Sequence, residues 1–207
     1  MTNDIRHRQL VYTVKDRCRM CFTCVRECPA KAIKIINGQA EVVGDRCIGC
    51  GNCVKVCSQG AKNFIDTSNA VSELLNNSKR VFAILAPSFP AEFEELKEQT
   101  DIAGMIRALG FEQVIEVSFG ADLVAREYGK LLNGNSVKNY ISSDCPAIVR
   151  YIEFYHPELV DSLAPIVSPM VATVRMLRKM HGEAVSIVFI GPCIAKKAES
   201  NEVDEAL

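Results

Sequence analysis

In Cys18-Arg19-Met20-Cys21-Phe22-Thr23-Cys24-Val25-Arg26-Glu27-Cys28-Pro29, four cysteines follow the spacing C-x2-C-x2-C-x3-C and a proline comes next. The same cysteine spacing returns over residues 47–57, so eight of the ten cysteines in the chain lie within forty positions. Three cysteines two residues apart present three thiolates on one tight loop, and the fourth points to a neighbouring site. The spacing therefore predicts two [4Fe–4S] clusters.

The spacing is typical of two-cluster bacterial ferredoxins, in which the fourth cysteine of each run binds the other cluster. We predict that one cluster is held by Cys18, Cys21, Cys24 and Cys57. The second is then held by Cys47, Cys50, Cys53 and Cys28. A four-ligand zinc site would leave the third cysteine of each run unexplained. A disulfide framework is typical of short secreted chains in an oxidising compartment.

The two cysteine runs belong to an internal repeat with an offset of 29 residues, which places Asp16-Arg17-Cys18 on Asp45-Arg46-Cys47. Each half is predicted to contain a short strand, a cluster loop, a helical turn and a returning strand. The returning strands are predicted over Ile33 to Ile36 and Asn63 to Asp66. A module of this size has little hydrophobic core, so we expect loss of iron to unfold it.

The composition describes a globular protein, with 48% apolar and 24% charged residues among 207. A net charge of −1 favours neither a nucleic acid nor a membrane partner. The N-terminus lacks the apolar core of a signal peptide, and no apolar run reaches the ~18 residues of a membrane span. Because the cysteines must stay reduced to bind iron, we expect a cytoplasmic protein.

The pattern predicts three regions: a ferredoxin-like α+β domain over 1–66, a polar linker with a short helix over 67–79, and an α/β domain with a mainly parallel sheet over 80–207. The predicted strands of the α/β domain are Val81 to Leu85, Val114 to Val117, Tyr140 to Ser142 and Val185 to Ile190. Its predicted helices are a segment from about Ala91 to Thr100, Asp101 to Leu109, Phe119 to Leu132, one from about Ile148 to Pro157, and one from Ser168 to Gly182.

The two remaining cysteines, Cys145 and Cys193, each follow a predicted strand and stand beside a proline. Ligands of open α/β sheets bind beyond the carboxyl ends of the strands, so we expect these cysteines to share a site. A single free cysteine is commonly a small buried apolar residue. The matching positions behind an electron-carrying module favour metal ligands, and the nearby Lys196 is then a cation facing an anionic ligand.

At these positions the chain resembles a known family. Ser143-Asp144-Cys145-Pro146 and Gly191-Pro192-Cys193-Ile194-Ala195-Lys196-Lys197-Ala198-Glu199 look like the first two cysteine motifs of the [FeFe]-hydrogenase large subunit. Phe119-Gly120-Ala121-Asp122-Leu123 and Ala86-Pro87-Ser88 are similar to further stretches of the same domain. In that family the active site, the H-cluster, is a [4Fe–4S] cluster joined by a cysteine to a di-iron unit that carries carbon monoxide, cyanide and a dithiolate amine.

The resemblance implies roles for particular residues. Cys145 and Cys193 would be the first two ligands of the active-site cluster, and Lys196 would hydrogen-bond a cyanide. Pro87 and Ser88 would line the di-iron pocket. A charge-assisted hydrogen bond compensates a buried lysine for its lost hydration.

Two further cysteine ligands come from a third motif in this family, and the chain reaches Leu207 without it. We therefore expect either a longer protein or a site completed by another chain. The isolated 207-residue chain is expected to be inactive.

The proton path also departs from the family pattern. Asp144 stands where fast hydrogenases carry a proton-passing cysteine, and Tyr128, Leu131 and Ala164 stand where they carry two glutamates and a serine. Gly191 replaces a methionine that packs on the di-iron unit. Asp144 can still carry a proton, but Leu131 and Ala164 cannot. Since general acid–base steps contribute ~10²–10⁴-fold each, we expect slow turnover, which suits a sensor.

Four functions remain open from the sequence. The first is a hydrogenase-type oxidoreductase of slow or sensory kind. Its clusters would exchange electrons with a ferredoxin-like carrier or connect it to a downstream signalling domain. The others are an electron-transfer protein without hydrogen turnover, a hydrogenase-like iron–sulfur assembly factor, and a fragment that does not function alone.

Overall fold

The computed structural model describes residues 9–78, 80–91, 99–134 and 138–202. Contacts divide them into two compact units that do not follow chain order. Unit 1 comprises the described residues up to Asp66 together with Tyr140–Leu163 and Cys193–Glu202. Unit 2 comprises those within Thr67–Asn139 and Ala164–Pro192. Most of the helix predicted from about Ala91 to Thr100 lies outside the described residues.

Seven strands and eight α-helices occur in these residues. The strands are β1 (Val11–Thr13), β2 (Ile33–Ile36), β3 (Gln39–Val42), β4 (Lys62–Phe64), β5 (Val81–Leu85), β6 (Gln113–Glu116) and β7 (Ser186–Ile190). The helices are α1 (Thr23–Glu27), α2 (Asn52–Lys55), α3 (Ser68–Asn77), α4 (Gln99–Ala108), α5 (Ser118–Asn133), α6 (Pro146–Tyr155), α7 (Pro169–His181) and α8 (Lys196–Glu202).

Unit 1 is built around two antiparallel strand pairs. β1 pairs with β4, which places Thr13 opposite Lys62, and β2 pairs with β3. The short helices α1 and α2 follow the cysteine loops and carry Cys24 and Cys53 into the core. This core also includes Ala147 of α6 and Ala195 and Ala198 at α8. The ferredoxin-like fold is confirmed, and two segments from the second half of the chain pack into it.

Unit 2 contains a three-stranded parallel sheet in the order β6-β5-β7. Every residue of β5 is buried, as expected of a central strand with both faces covered. Helices α5 and α7 pack closely because Gly120 has no side chain: a Cβ there would lie 2.2 Å from the Pro169 carbonyl oxygen. Ser168 caps α7 by accepting a hydrogen bond from the Val171 backbone N–H. The predicted α/β class with a parallel sheet is confirmed.

The segment predicted as a polar linker is mainly helix α3. Its apolar residues Val71, Leu74 and Leu75 recur at helical spacing and pack against Val81 and Phe111 of the unit 2 core. The sequence correctly predicted a short helix there, and the structure adds that this helix has an apolar face.

The strand predicted over Tyr140 to Ser142 is wrong. Ile141 makes only a single parallel bridge with Leu163, supported by its N–H donating to the Ser162 carbonyl. Both partners belong to unit 1, so this segment adds no strand to the parallel sheet. The segment is only three residues long and is followed at once by polar residues and the helix start at Pro146, which leaves too little extended chain for a ladder.

Candidate metal centres

The cysteines predicted to hold the first cluster lie near one another in unit 1. Burial raises the pKa of the Cys24 thiol, Lys62 lowers it, and the charges of Cys57, Cys18 and Cys21 raise it. The three cysteines that act on Cys24 are the other members of the predicted set.

The cysteines predicted to hold the second cluster form the other group. The pKa of Cys53 is raised to about 12, mainly by burial and also by Cys47, Cys28 and Cys50, while Lys62 acts in the opposite direction. All four thiols of this set line one cavity, together with apolar side chains such as Val11, Ile33 and Ile48. The exchange of the fourth cysteine between the two runs is therefore present in the geometry.

The two exchanged cysteines have matching hydrogen bonds. Ala32 donates its backbone N–H to Cys28 Sγ, and Ala61 donates to Cys57 Sγ, both at 3.3 Å. These residues occupy equivalent positions of the repeat. Backbone N–H donors to cysteine sulfur stabilise thiolates and raise the reduction potential of a bound cluster.

The donor sets fit [4Fe–4S] clusters. Each set brings four sulfur atoms to a largely apolar site, and iron binding would hold the buried thiols deprotonated. Within the described residues, no three His, Cys, Asp or Glu side chains are grouped so as to hold a single metal ion. This finding does not bear on a cubane cluster, because each of its thiolates binds a different iron atom.

Cys145 and Cys193 both lie in unit 1, on the two segments that join the ferredoxin core. Cys145 immediately precedes α6, Cys193 precedes α8, and both thiols are exposed. The sequence argument for a shared site assumed that both follow strands of one sheet, and only Cys193 follows one. Their membership of the same compact unit is a separate observation.

Lys196 connects the two segments. Its Nζ donates to the Asp144 carbonyl oxygen at 3.1 Å, next to Cys145, and to Glu199 Oε2 at 2.6 Å. The Lys196 and Glu199 side chains are only 13% and 14% exposed. An ammonium group has three N–H donors. Two of those of Lys196 are used among the described residues, so the third remains for a ligand.

The Asp144 side chain is half satisfied. Its Oδ2 accepts a hydrogen bond from Ser142 Oγ at 2.9 Å. Its Oδ1 is buried and has no hydrogen-bond partner among the described residues. A buried acceptor without a donor is costly, and such an atom is commonly completed by a ligand, a water or a proton.

The remaining candidate residues, Pro87 and Ser88, lie in unit 2 in the exposed turn that follows β5. Gly191 lies in the same unit, directly after β7. A Cβ at Gly191 would lie 2.8 Å from the Ala86 Cβ and 2.7 Å from the Phe189 ring. Close packing therefore accounts for glycine where the resembling family has methionine.

The second cysteine loop packs closely against the segment that follows Cys193. A Cβ at Gly49 would lie 3.3 Å from the Ala195 Cα, and one at Gly51 would lie 2.8 Å from the Ile194 side chain. Both glycines also have positive φ, 70° and 77°. The positive φ favours glycine at both positions, and the close approach of Ala195 and Ile194 leaves little room for a side chain.

Tyr155 of α6 contacts the chain beside two cysteines of the second set. Its hydroxyl lies within hydrogen-bond reach of the Ala30 carbonyl, at 2.6 Å, and of the Arg46 carbonyl, at 3.0 Å. Ala30 follows Cys28-Pro29 and Arg46 precedes Cys47. The sequence predicted only a packing role for this tyrosine, and nothing in the sequence linked it to residues more than 100 positions away.

Two other residues were missed. Glu199 was quoted within the second cysteine motif without a role, and it forms the ion pair with Lys196. Lys62 is 4% exposed and its charge acts on Cys24 and Cys53. Aligning the two halves of the repeat pairs Lys62 with Ile33, which is the signal that identifies it.

The comparisons with known proteins agree with this construction. The family described as "Iron only hydrogenase large subunit, C-terminal domain" matches residues 79–206, and the "4Fe-4S dicluster domain" matches residues 10–66. The protein is therefore a hydrogenase-like iron–sulfur protein with a [4Fe–4S] ferredoxin module. It belongs to the iron-only hydrogenase large subunit family.

Curated relatives fall into two groups. Iron hydrogenase 1 of Clostridium pasteurianum is 31% identical over 141 residues, which are 59% of this chain and 25% of that protein. The cytosolic Fe-S cluster assembly factor NAR1 of Candida dubliniensis is 32% identical over 115 residues, 51% of this chain and 20% of that protein. The chain thus spans a quarter or less of the length of these two relatives.

A solved [FeFe]-hydrogenase structure, from work on oxygen inactivation at the H cluster 2Fe subcluster, shares the fold. It aligns with a TM-score of 0.58 at 23% identity, covering 66% of this chain and 40% of that one. Within the described residues, no helix has the length and apolar character needed to cross a bilayer.

Proposed function

We propose that this chain is the electron-transferring part of an [FeFe]-hydrogenase-type oxidoreductase and supplies part of its active site. Two [4Fe–4S] clusters in the ferredoxin module pass electrons to or from an H-cluster-like site that includes Cys145 and Cys193. The hydrogen chemistry is slow or serves sensing, and the protein acts in the cytoplasm.

One observation carries the proposal: the Lys196 ammonium group reaches the carbonyl of Asp144, the residue before Cys145. This contact joins the two cysteine-bearing segments inside the unit that holds the ferredoxin module. Exposed thiols beside a mostly buried, paired lysine are a donor set for an anionic iron–sulfur group.

Each residue has a role in this proposal. Cys145 and Cys193 would hold the active-site cluster, which supplies the hydrogen chemistry when bound with its di-iron unit. Lys196 would donate its remaining N–H to an anionic ligand, while Glu199 fixes its position. Asp144 would hold a proton at Oδ1, since this atom has no donor of its own among the described residues.

The packing supports an order for the two ferredoxin clusters. The second cysteine loop lies against Ile194 and Ala195, which are one and two residues after Cys193. The set that includes Cys47, Cys50 and Cys53 is therefore proposed as the cluster that exchanges electrons with the active site, and the first set as the one that faces outward.

The first cysteine loop, residues 18–24, has exposed side chains suited to binding an acidic protein carrier of the ferredoxin type. Met20 and Phe22 are exposed, at 44% and 46%. Exposed cations occur at nearby positions of the sequence, namely Arg17, Arg19, Arg26 and Lys31. Basic surfaces with a few apolar side chains steer negatively charged partners and hold them briefly.

Infrared spectroscopy tests the proposal on this chain joined to, or combined with, the polypeptide that supplies the third cysteine motif, after treatment with hydrogenase maturation enzymes. Bound carbon monoxide and cyanide absorb where protein does not, so we expect their bands. The matched controls are Cys145→Ser and Cys193→Ser, which should abolish the bands and leave the electron paramagnetic resonance (EPR) signals of the two ferredoxin clusters intact. Absence of the bands from the matured protein would reject the hydrogenase-type site.

A second function, an iron–sulfur assembly factor, is favoured by the match to NAR1. In that case the protein would hold iron–sulfur clusters and lack the carbon monoxide and cyanide bands. Transfer of iron from the loaded chain to an apo-ferredoxin, lost in Cys145→Ser, would support this function. An electron-transfer protein without hydrogen turnover would show neither the bands nor the iron transfer.

A further inference from the structure

At one position the internal repeat has buried side chains in both halves, apolar in the first half and charged in the second. Position 62 in the second half corresponds to position 33 in the first, and Lys62 stands where Ile33 packs. Both side chains are buried, at 4% and 7% exposure. Burying a lysine costs far more than burying an isoleucine unless its charge is compensated, so this exchange needs a physical reason.

Hydrogen bonds account for part of the compensation. Lys62 Nζ donates to Thr13 Oγ1 at 2.6 Å and to the Ala40 carbonyl. Thr13 in turn donates its hydroxyl proton to the same Ala40 carbonyl. These acceptors are neutral, and a buried cation held by neutral groups alone remains poorly compensated.

The remaining compensation would come from the thiolates of the two cysteine sets when they bind iron. Lys62 directly follows Ala61, whose backbone N–H donates to Cys57 Sγ of the first set at 3.3 Å. Burial raises the pKa of Cys24 in the first set and of Cys53 in the second, and the Lys62 charge acts to lower both. The strand geometry agrees, because Lys62 begins β4, which packs on the Cys53-bearing helix α2 and starts five residues after Cys57. One cation therefore acts on both cluster sites.

We propose that Lys62 is a shared counter-charge that raises the reduction potentials of both ferredoxin clusters. The proposal rests on the two-cluster module of the proposed function and adds a tuning residue to it. Reduction adds negative charge to a cluster, and a nearby buried cation stabilises the reduced form. An isoleucine, as in the first half, would leave both clusters harder to reduce.

The experiment is an EPR-monitored redox titration of the iron-loaded 207-residue chain and its Lys62→Gln variant. Glutamine keeps N–H donors for Thr13 and Ala40 and removes the charge. We expect the ratio of reduced to oxidised cluster at a fixed potential to fall about tenfold for both clusters, which is ~59 mV for one electron. Lys62→Arg should retain potentials close to those of the wild-type protein.

Thr13→Val is the matched control, because it removes the hydroxyl that holds Lys62 and keeps the charge. If Lys62 has only a structural role, the Thr13→Val and Lys62→Gln variants should retain their clusters to the same extent. The reduction potentials of both clusters should then be unchanged in both variants. Unchanged potentials in Lys62→Gln, a shift in only one cluster, or failure of Lys62→Gln to load clusters while Lys62→Arg loads them would each overturn the proposal. The titration requires no hydrogen turnover, so its result and that of the infrared test are independent.

Discussion

The two cysteine loops of the repeat have the same backbone and different surroundings. Met20 and Phe22 in the first loop correspond to Gly49 and Gly51 in the second, and all four have φ between 52° and 77°. The first pair is exposed, whereas the second pair lies under Ala195 and Ile194. The cysteine spacing thus sets the left-handed turns, and the covering segment decides which residues can occupy them.

Removal of iron should have the largest effect on this comparison. Without clusters the thiols of both loops repel one another when ionised and lose their bound metal, so the whole of unit 1 should unfold. Hydrogen–deuterium exchange after anaerobic chelation should show lost protection in 9–66 and 140–163, while β5 of unit 2 keeps its protection. Equal loss of protection in both units would contradict the independence of the two cores.

Exchange of loop residues should have the next largest effect. Gly49→Met would force a side chain against the Ala195 backbone and should destabilise the loaded protein by about 2 kcal/mol. The reverse change in the other loop, Met20→Gly, should alter stability by less than about 0.5 kcal/mol. The urea midpoint for loss of cluster absorbance measures both, and equal midpoints for the two variants would remove the asymmetry between the loops.

Loss of the Tyr155 hydroxyl should have a smaller effect, confined to the second loop. Tyr155→Phe leaves the Ala30 and Arg46 carbonyls without that donor, at a cost of about 1 kcal/mol. Faster hydrogen exchange around Cys28 and Cys47, with no change around Cys21, is the expected result. Tyr151→Phe, on the same helix, serves as the control and should leave both regions unchanged.

The smallest effect is expected for an exposed residue of the first loop. Phe22→Ala should leave cluster stability unchanged and slow electron exchange with an acidic ferredoxin about fivefold, as for loss of ~1 kcal/mol of interface contact. Phe154→Ala removes a similarly exposed ring from α6 and should not change the rate. An equal rate for wild type and Phe22→Ala would argue against docking at the first loop.

Local pattern explains which features the sequence predicted. The cysteine spacing predicted both thiolate sets, and β2 and β5 have the predicted bounds because their apolar runs are continuous or end at clear turns. The strand at 140–142 failed because three residues of β-type composition do not reveal whether a partner strand is near. Sequence periodicity therefore identified the strands that bury a whole face. It wrongly predicted a strand at 140–142, which does not bury one.

The contacts between distant segments were beyond the sequence. The roles of Gly49, Gly51 and Tyr155 depend on residues 194–195, 30 and 46 that share no local pattern with them. The burial of Lys62 follows from its pairing opposite Thr13, almost 50 residues away. Aligning the two halves of the repeat shows where their residues differ at equivalent positions. Only the packing shows the cause of those differences.

The shared core of unit 1 has a consequence for the order of biogenesis. Ala147, Ala195 and Ala198 pack into the same core as Cys24, Cys28 and Cys53. We therefore expect the segments bearing Cys145 and Cys193 to pack in place only after the ferredoxin module has folded around its proposed clusters. Iron supply to the module would thus act as a checkpoint in maturation. Under the proposed function, a shortage of iron would leave a protein that cannot yet receive its active-site cluster.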